Sequence, residues 1–205
     1  MSIFRWTAPV FKLAGQRWSE DDFRAVAEWL RPFVSPGGVF MDLGGGTGDL
    51  GAGVARALDA RVVIVDPTPQ MLARAPAQPL LSVRLGAAEE IPFPDGFFDA
   101  VLVSDALHHF RDSDSAAREM RRTVRPGGGV VILEMEGSGW GRLLSMVERL
   151  MGEPAEFKTP AELTKLLAAH DIVGDTIRQR GISYAFIGSA RVSELVRDGA
   201  PAAVS

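Results

Sequence analysis

Residues 39–48 read Val39-Phe40-Met41-Asp42-Leu43-Gly44-Gly45-Gly46-Thr47-Gly48. A short, almost wholly apolar run, preceded by the turn signal Ser35-Pro36-Gly37-Gly38, reads as a buried strand. It runs into a glycine-rich turn, and Leu50 to Ala60 then carries the spacing of a helix with an apolar face. A strand, a glycine turn and a helix in this order start a parallel α/β sheet, because the helix must carry the chain back before the next parallel strand can form.

The flanking sequence continues the alternation. Arg61 to Asp66 is a second strand, and Thr68 with Pro69 starts a helix through Met71 to Arg74. Leu81 to Leu85 and Phe98 to Ser104 are a third and a fourth strand. Ser113 to Val124 is a helix stopped by Pro126 and Gly127 to Gly129, and Val130 to Met135 is a fifth strand. Strands that are apolar throughout suit a sheet covered on both faces. Residues 1–34 read as helical and hold Trp6, Trp18 and Trp29. Thr159 and Pro160 start a helix through His170, Ile172 to Arg180 and Ile182 to Ile187 read as strands around Gly181, and Gly199 to Ser205 read as a frayed tail.

Composition narrows the function classes. A chain of 205 residues suits a single domain spanning 1–205. A net charge of -4 argues against nucleic acid as a partner, since phosphate contacts need concentrated Lys and Arg. With no cysteine and only His108, His109 and His170, the chain offers no metal site of recognisable spacing. The first residues are interrupted by Arg5, Pro9 and Lys12, so no secretory signal is read. No apolar run nears the roughly 20 residues that span a bilayer. The expectation is a cytoplasmic protein without stable membrane insertion, and homo-oligomers stay open.

Three readings of the glycine turn compete. Gly46-Thr47-Gly48-Asp49-Leu50-Gly51 matches the dinucleotide pattern G-x-G-x-x-G, with Asp66 at the ribose distance, as in an NAD-dependent oxidoreductase. Asp42-x-Gly44-x-Gly46-x-Gly48 suits S-adenosylmethionine, and a plain tight turn is the third. Asp42 favours the second. A carboxylate beside a pyrophosphate would repel it by about 4 kcal/mol for unit charges 4 Å apart at an effective dielectric near 20. An ammonium and a sulfonium would be attracted.

From residue 36 to residue 135 the chain resembles the class I S-adenosylmethionine-dependent methyltransferases, in particular the small-molecule group that includes ubiquinone and menaquinone methyltransferases. The motifs that carry the resemblance are Asp42 to Gly48, Val62 to Pro67, Gly86-Ala87-Ala88-Glu89-Glu90-Ile91-Pro92-Phe93, Phe98 through Ser104 to His109, and Arg125-Pro126-Gly127-Gly128. The resemblance implies a Rossmann-like three-layer α/β sandwich, with a mostly parallel seven-stranded sheet and an antiparallel C-terminal strand. It divides the chain into an N-terminal helical lid (1–34), a cofactor-binding core (36–135), an acceptor-side insertion (137–160) and a C-terminal helix with strands (161–190). It implies that Asp66 accepts hydrogen bonds from the ribose hydroxyls and that Pro67 and Met71 pack on adenine. Gly44, Gly46, Gly48 and Ser104 line the methionine end, and the Ala88 backbone contacts the ring. The group commonly has Asp where this chain has Ala87. Ala87 cannot accept from the adenine amine, and Glu89 is the nearby acid that could substitute. That departure keeps a non-catalytic, methyltransferase-like binding module as an alternative.

Methyl transfer to a small molecule, leaving S-adenosylhomocysteine, needs a general base only if the acceptor must lose a proton. His108 and His109 lie just past the fourth strand, where open α/β sheets bind ligands, and Glu134 and Glu136 are weaker candidates. Trp6, Phe11, Trp18, Trp140, Met146 and Met151 make the flanking segments apolar, which favours a lipophilic or aromatic acceptor. Arg5, Lys12 and Arg17 among them could touch a membrane surface.

Overall fold

The computed structural model describes residues 18–135, 156–179 and 183–192. Within them β1 (Val39–Leu43), β2 (Arg61–Asp66), β3 (Leu81–Leu85), β4 (Phe98–Ser104), β5 (Val124–Met135), β6 (Ile172–Arg178) and β7 (Ser183–Ala190) form one sheet. The order is β3-β2-β1-β4-β5-β7-β6. β1 to β5 are parallel, and β7 is antiparallel to both of its neighbours. The helices are α1 (Glu20–Leu30), α2 (Asp49–Leu58), α3 (Pro69–Leu72), α4 (Ser113–Thr123) and α5 (Pro160–Ala168).

Side-chain alternation sends the apolar residues of each strand to two separate cores. Met41, Leu43, Val101 and Val103 pack with Ala117 and Met120 of α4 and Leu163 and Leu167 of α5. Phe40, Ile64, Ala100 and Leu102 pack with Val26 and Leu30 of α1 and Leu50 and Val54 of α2. Both faces are therefore dry, which is why the strands carry so few polar residues. Trp18 and Trp29 lie against the second core. Capping boxes start α1 (Ser19 with Asp22) and α5 (Thr159 with Glu162).

The chain runs outward from β1 to β2 and β3 and then crosses to β4 on the other side of β1. The carboxyl ends of β1 and β4 are thus where connections diverge and a crevice opens. Among the described residues no helix is long and apolar enough to cross a membrane.

Three expectations about elements are corrected. β5 begins at Val124, not Val130: Val124 pairs with Phe98, and the Pro126-to-Gly128 excursion sits between that pair and Ala100↔Gly129. The second C-terminal strand runs from Ser183 to Ala190, pinned residue by residue to β5 from Gly129 to Met135. Thr68 is the N-cap of α3 with Pro69 in its first turn, as expected, but the helix ends at Leu72 rather than Arg74 and the Thr68 side chain bonds Asp66 rather than the helix. Arg5, Trp6, Phe11, Lys12, Arg17, Glu136, Trp140, Met146, Met151, Gly181 and the 199–205 tail lie outside the described residues, as does most of the expected insertion.

Candidate cofactor and acceptor site

Asp42 is on the α2 side of β1, 1% exposed, between Ile64 of β2 and Leu102 of β4. Its carboxylate lies beneath the glycine turn and the first turn of α2, where the Gly51 N–H donates to it. It thereby serves a helix start that has no side-chain cap, the N-cap being Gly48. Oδ1 is buried and has no hydrogen-bond partner among the described residues. Burial pushes the carboxyl up to about 7; the Gly51 amide opposes the shift and the nearby Asp66 charge adds to it.

The turn itself needs glycine. Gly44, Gly46 and Gly48 have φ of 73°, 56° and 74°, a region costly for other residues. At Gly45 a Cβ would lie 2.6 Å from the Asp42 carboxylate, whereas at Gly46 it would meet nothing within 4 Å. Among the described residues the turn is packed tightly at Gly44, Gly45 and Gly48 and open at Gly46.

Asp66 ends β2, 7% exposed. Its Oδ2 accepts from Gly46 N at 3.0 Å and its Oδ1 from Thr68 N at 2.8 Å. Burial raises its carboxyl above the ordinary range, against the pull of those two amides and the Thr68 side chain. Pro67 is exposed and Met71 half-buried, and neither joins a buried core, so Met71 is not core filler. Ala87 and Glu90 form an isolated bridge that folds the 86–92 segment over the end of β3, and Ala88 is buried there. Glu89 is engaged elsewhere: its Oε1 accepts from Arg111 N at 2.7 Å and Asp112 N at 3.2 Å, so it braces the start of α4.

Across the crevice, Ser104 at the end of β4 has a buried Oγ with no partner among the described residues. Asp105 follows with φ 48°, an uncommon conformation for a non-glycine residue that turns the chain into the 3-10 turn Leu107–His109. The two histidines of that turn are placed differently. His108 is 5% exposed and its Nδ1 lies 2.8 Å from Oε1 of Glu134, itself 1% exposed. Phe157 stacks on the His108 ring at 4.1 Å. His109 is only half-buried, with its ring 4.0 Å from that of His108. The His108–Glu134 pair and the Phe157 wall are contacts that sequence reasoning did not join, since they span 26 and 49 positions.

These features fit a nucleoside that carries positive charge. The Asp42 carboxyl is buried under a glycine cradle that is open at Gly46 among the described residues, and a second carboxyl, that of Asp66, ends the adjacent strand. Nothing comparable favours a diphosphate, which Asp42 would repel.

A family profile described as a methyltransferase domain matches residues 41–132. A ubiquinone/menaquinone biosynthesis C-methyltransferase of Ralstonia pickettii is 30% identical over 168 residues, covering 73% of this chain and 69% of the relative. The chain belongs to the class I S-adenosylmethionine-dependent methyltransferases. Its cofactor is S-adenosylmethionine. The C-methyltransferase of the same description from Rubrivivax gelatinosus is 36% identical over 119 residues, 55% of this methyltransferase and 47% of the relative. The chain spans about half the length of several curated relatives it matches. Among solved structures, the methyltransferase fold is shared with a chain of the complex between the Haloferax volcanii Trm112 methyltransferase activator and a methyltransferase. There the TM-score is 0.77 at 17% identity, covering 94% of this chain and 99% of that one. A geranyl diphosphate methyltransferase solved with S-adenosylmethionine gives a TM-score of 0.67 at 16% identity, covering 84% and 90%.

Proposed function

We propose that this chain transfers the methyl group of S-adenosylmethionine to a small lipophilic or aromatic molecule. The observation that carries the reading is the buried Asp42 carboxylate beneath a glycine turn whose tip is tied to Asp66. When bound, the cofactor supplies a methyl already activated on a sulfonium. The chain's task is to bind, orient and exclude water, and orientation alone is worth roughly 7–11 kcal/mol.

Asp66 would take the ribose hydroxyls on the lone pairs left beside Gly46 N and Thr68 N. Pro67 and Met71 would flank adenine, with the backbone of Ala88 at its edge. Gly44, Gly46, Gly48 and Ser104 would line the methionine end. Relatives whose names place them in ubiquinone and menaquinone biosynthesis support a quinone-like acceptor.

Calorimetry with S-adenosylhomocysteine, S-adenosylmethionine and NAD tests the reading. Binding of the first two at or below millimolar concentration and none of NAD is expected, and the reverse pattern ends the proposal. Ala87, which offers no carboxylate to the adenine amine, favours a second reading as a binding module without turnover. Cofactor binding with no methylated product from any small-molecule acceptor would select it.

A further inference from the structure

Resting on the methyltransferase reading above, we infer that the acceptor is one that must lose a proton on methylation, that His108 takes this proton, and that Glu134 is the positioning residue that prepares His108 for it. The geometry of the pair carries the inference. Glu134 Oε1 accepts from His108 Nδ1 at 2.8 Å and from Met135 N at 3.0 Å, and Oε2 accepts from His108 N at 3.3 Å. With Glu134 as the acceptor in every one of these contacts, the neutral ring carries its proton on Nδ1 and its lone pair on Nε2.

The rest of the imidazole is enclosed. Phe157 stacks on the ring at 4.1 Å, the His109 ring lies 4.0 Å away, and Glu156 N clamps the His108 carbonyl at 3.0 Å. The Nδ1 edge belongs to Glu134, and no hydrogen bond to Nε2 is found among the described residues. The Nε2 edge is therefore the one left for a ligand, four residues past Ser104 at the carboxyl end of β4. Among the described residues the titratable groups against the ring are Glu134 and His109; Phe157 is apolar, and Glu156 contributes its backbone.

A latch for the three N–H groups needs no charge, and a neutral group costs less to bury than a carboxylate. A carboxylate adds what a neutral group cannot, stabilisation of the imidazolium formed when Nε2 takes a proton. In the step, the acceptor atom's electron pair forms the bond to the methyl carbon, and the S–CH3 bond breaks with its pair staying on sulfur. The acceptor's proton passes to His108 Nε2 and then to water. A phenolic O–H or an enol-type carbon acid needs this base; a pyridine nitrogen or a thioether does not.

The test uses the full chain with S-adenosylmethionine and two kinds of probe, 1,4-dihydroxynaphthalene (held reduced) and catechol against pyridine and dimethyl sulfide. The expected result is turnover of at least one phenol, rising with pH. Glu134→Gln and His108→Gln should lower kcat by about 100-fold or more while the S-adenosylhomocysteine Kd stays within about twofold. The rising limb in Glu134→Gln should move to lower pH, because the imidazolium has lost its counter-charge. His170→Gln, whose ring pairs with Asp114 of α4 and not with Glu134, serves as the unaffected control. A ring 15N spectrum of the unsubstituted chain, which has only three histidines, should show neutral His108 as the Nδ1–H tautomer whether or not the variants fold.

An Nε2–H tautomer, turnover confined to pyridine or dimethyl sulfide, or turnover indifferent to both substitutions would overturn the inference. Cofactor binding with no turnover of either phenol would also overturn it and leave the cofactor reading standing. Absence of cofactor binding in the unsubstituted chain would sink the methyltransferase reading and this inference together.

Discussion

A Cβ on Gly51 would lie 2.5 Å from Asp42 Oδ2, so the first turn of α2 rests directly on the carboxylate. The same Cβ would come within 2.9 Å of Ile64 Cδ1. Neither neighbour can yield, the one being enclosed by the turn and the other buried. Gly51→Ala should cost about 1–3 kcal/mol of stability, as overpacking does. Thermal denaturation of the apo chain would show a Tm lower by several degrees, and an unchanged Tm would mean that α2 can lift away from β1.

Asp42→Asn separates charge from shape. The amide keeps an oxygen for the Gly51 N–H but presents no net charge to a cation. Affinity for S-adenosylmethionine should fall about tenfold or more, and affinity for S-adenosylhomocysteine, which lacks the sulfonium, by less. Apo stability near pH 7 should hold or rise, since a desolvated carboxylate has been removed. Equal losses for both ligands would assign Asp42 a purely structural part.

The raised Asp42 carboxyl gives a signed pH dependence. Its folded value of about 7 exceeds the ordinary 3.8, so the folded chain holds the extra proton between those values. Stability from this group is full below about pH 4, declines as pH rises towards 7 and is flat above it. Asp66 acts in the same direction. A cationic ligand prefers the ionised form, so binding S-adenosylmethionine at pH 6 should release about one proton. Calorimetry in buffers of different ionisation enthalpy measures this directly. The release should vanish above about pH 8 and in Asp42→Asn.

Ala87→Asp would place a carboxylate at the position where the family resemblance leads one to expect it. A hydrogen bond to a charged acceptor contributes about 1.5–3 kcal/mol. Affinity for S-adenosylhomocysteine should therefore rise roughly tenfold or more. No gain would indicate that the 86–92 segment, held by the Ala87–Glu90 bridge, keeps position 87 away from the nucleobase.

β1, β2 and β4 were legible because burial on both faces leaves an unmistakable apolar run; β3 is largely exposed and was legible by its place in the strand–helix alternation, and the bounds of all four agree with the structure. The start of β5 was not: proline and three glycines read locally as a turn, whereas pairing of Val124 with Phe98 is a tertiary fact. Asp42, the glycines and Asp66 are contiguous with strand ends, so their convergence follows from topology. Glu134 was read only as a weak base candidate, because nothing in a linear pattern reveals that a β5 carboxylate meets the 3-10 turn beyond β4. Glu89 was read as the acid that could substitute for Asp at the adenine, and the brace it forms with Arg111 and Asp112 was not legible, since it joins residues more than 20 positions apart.

The Gly46–Asp66 hydrogen bond has one more consequence. The tip of the turn is anchored to its neighbouring strand by the chain's own atoms, so this part of the proposed nucleoside site is set before any guest arrives. Little ordering entropy is then left to lose on association. Exchange at this end of the crevice should be quick in both directions, and its rate should report the shedding of water by the ligand rather than any refolding of the protein around it.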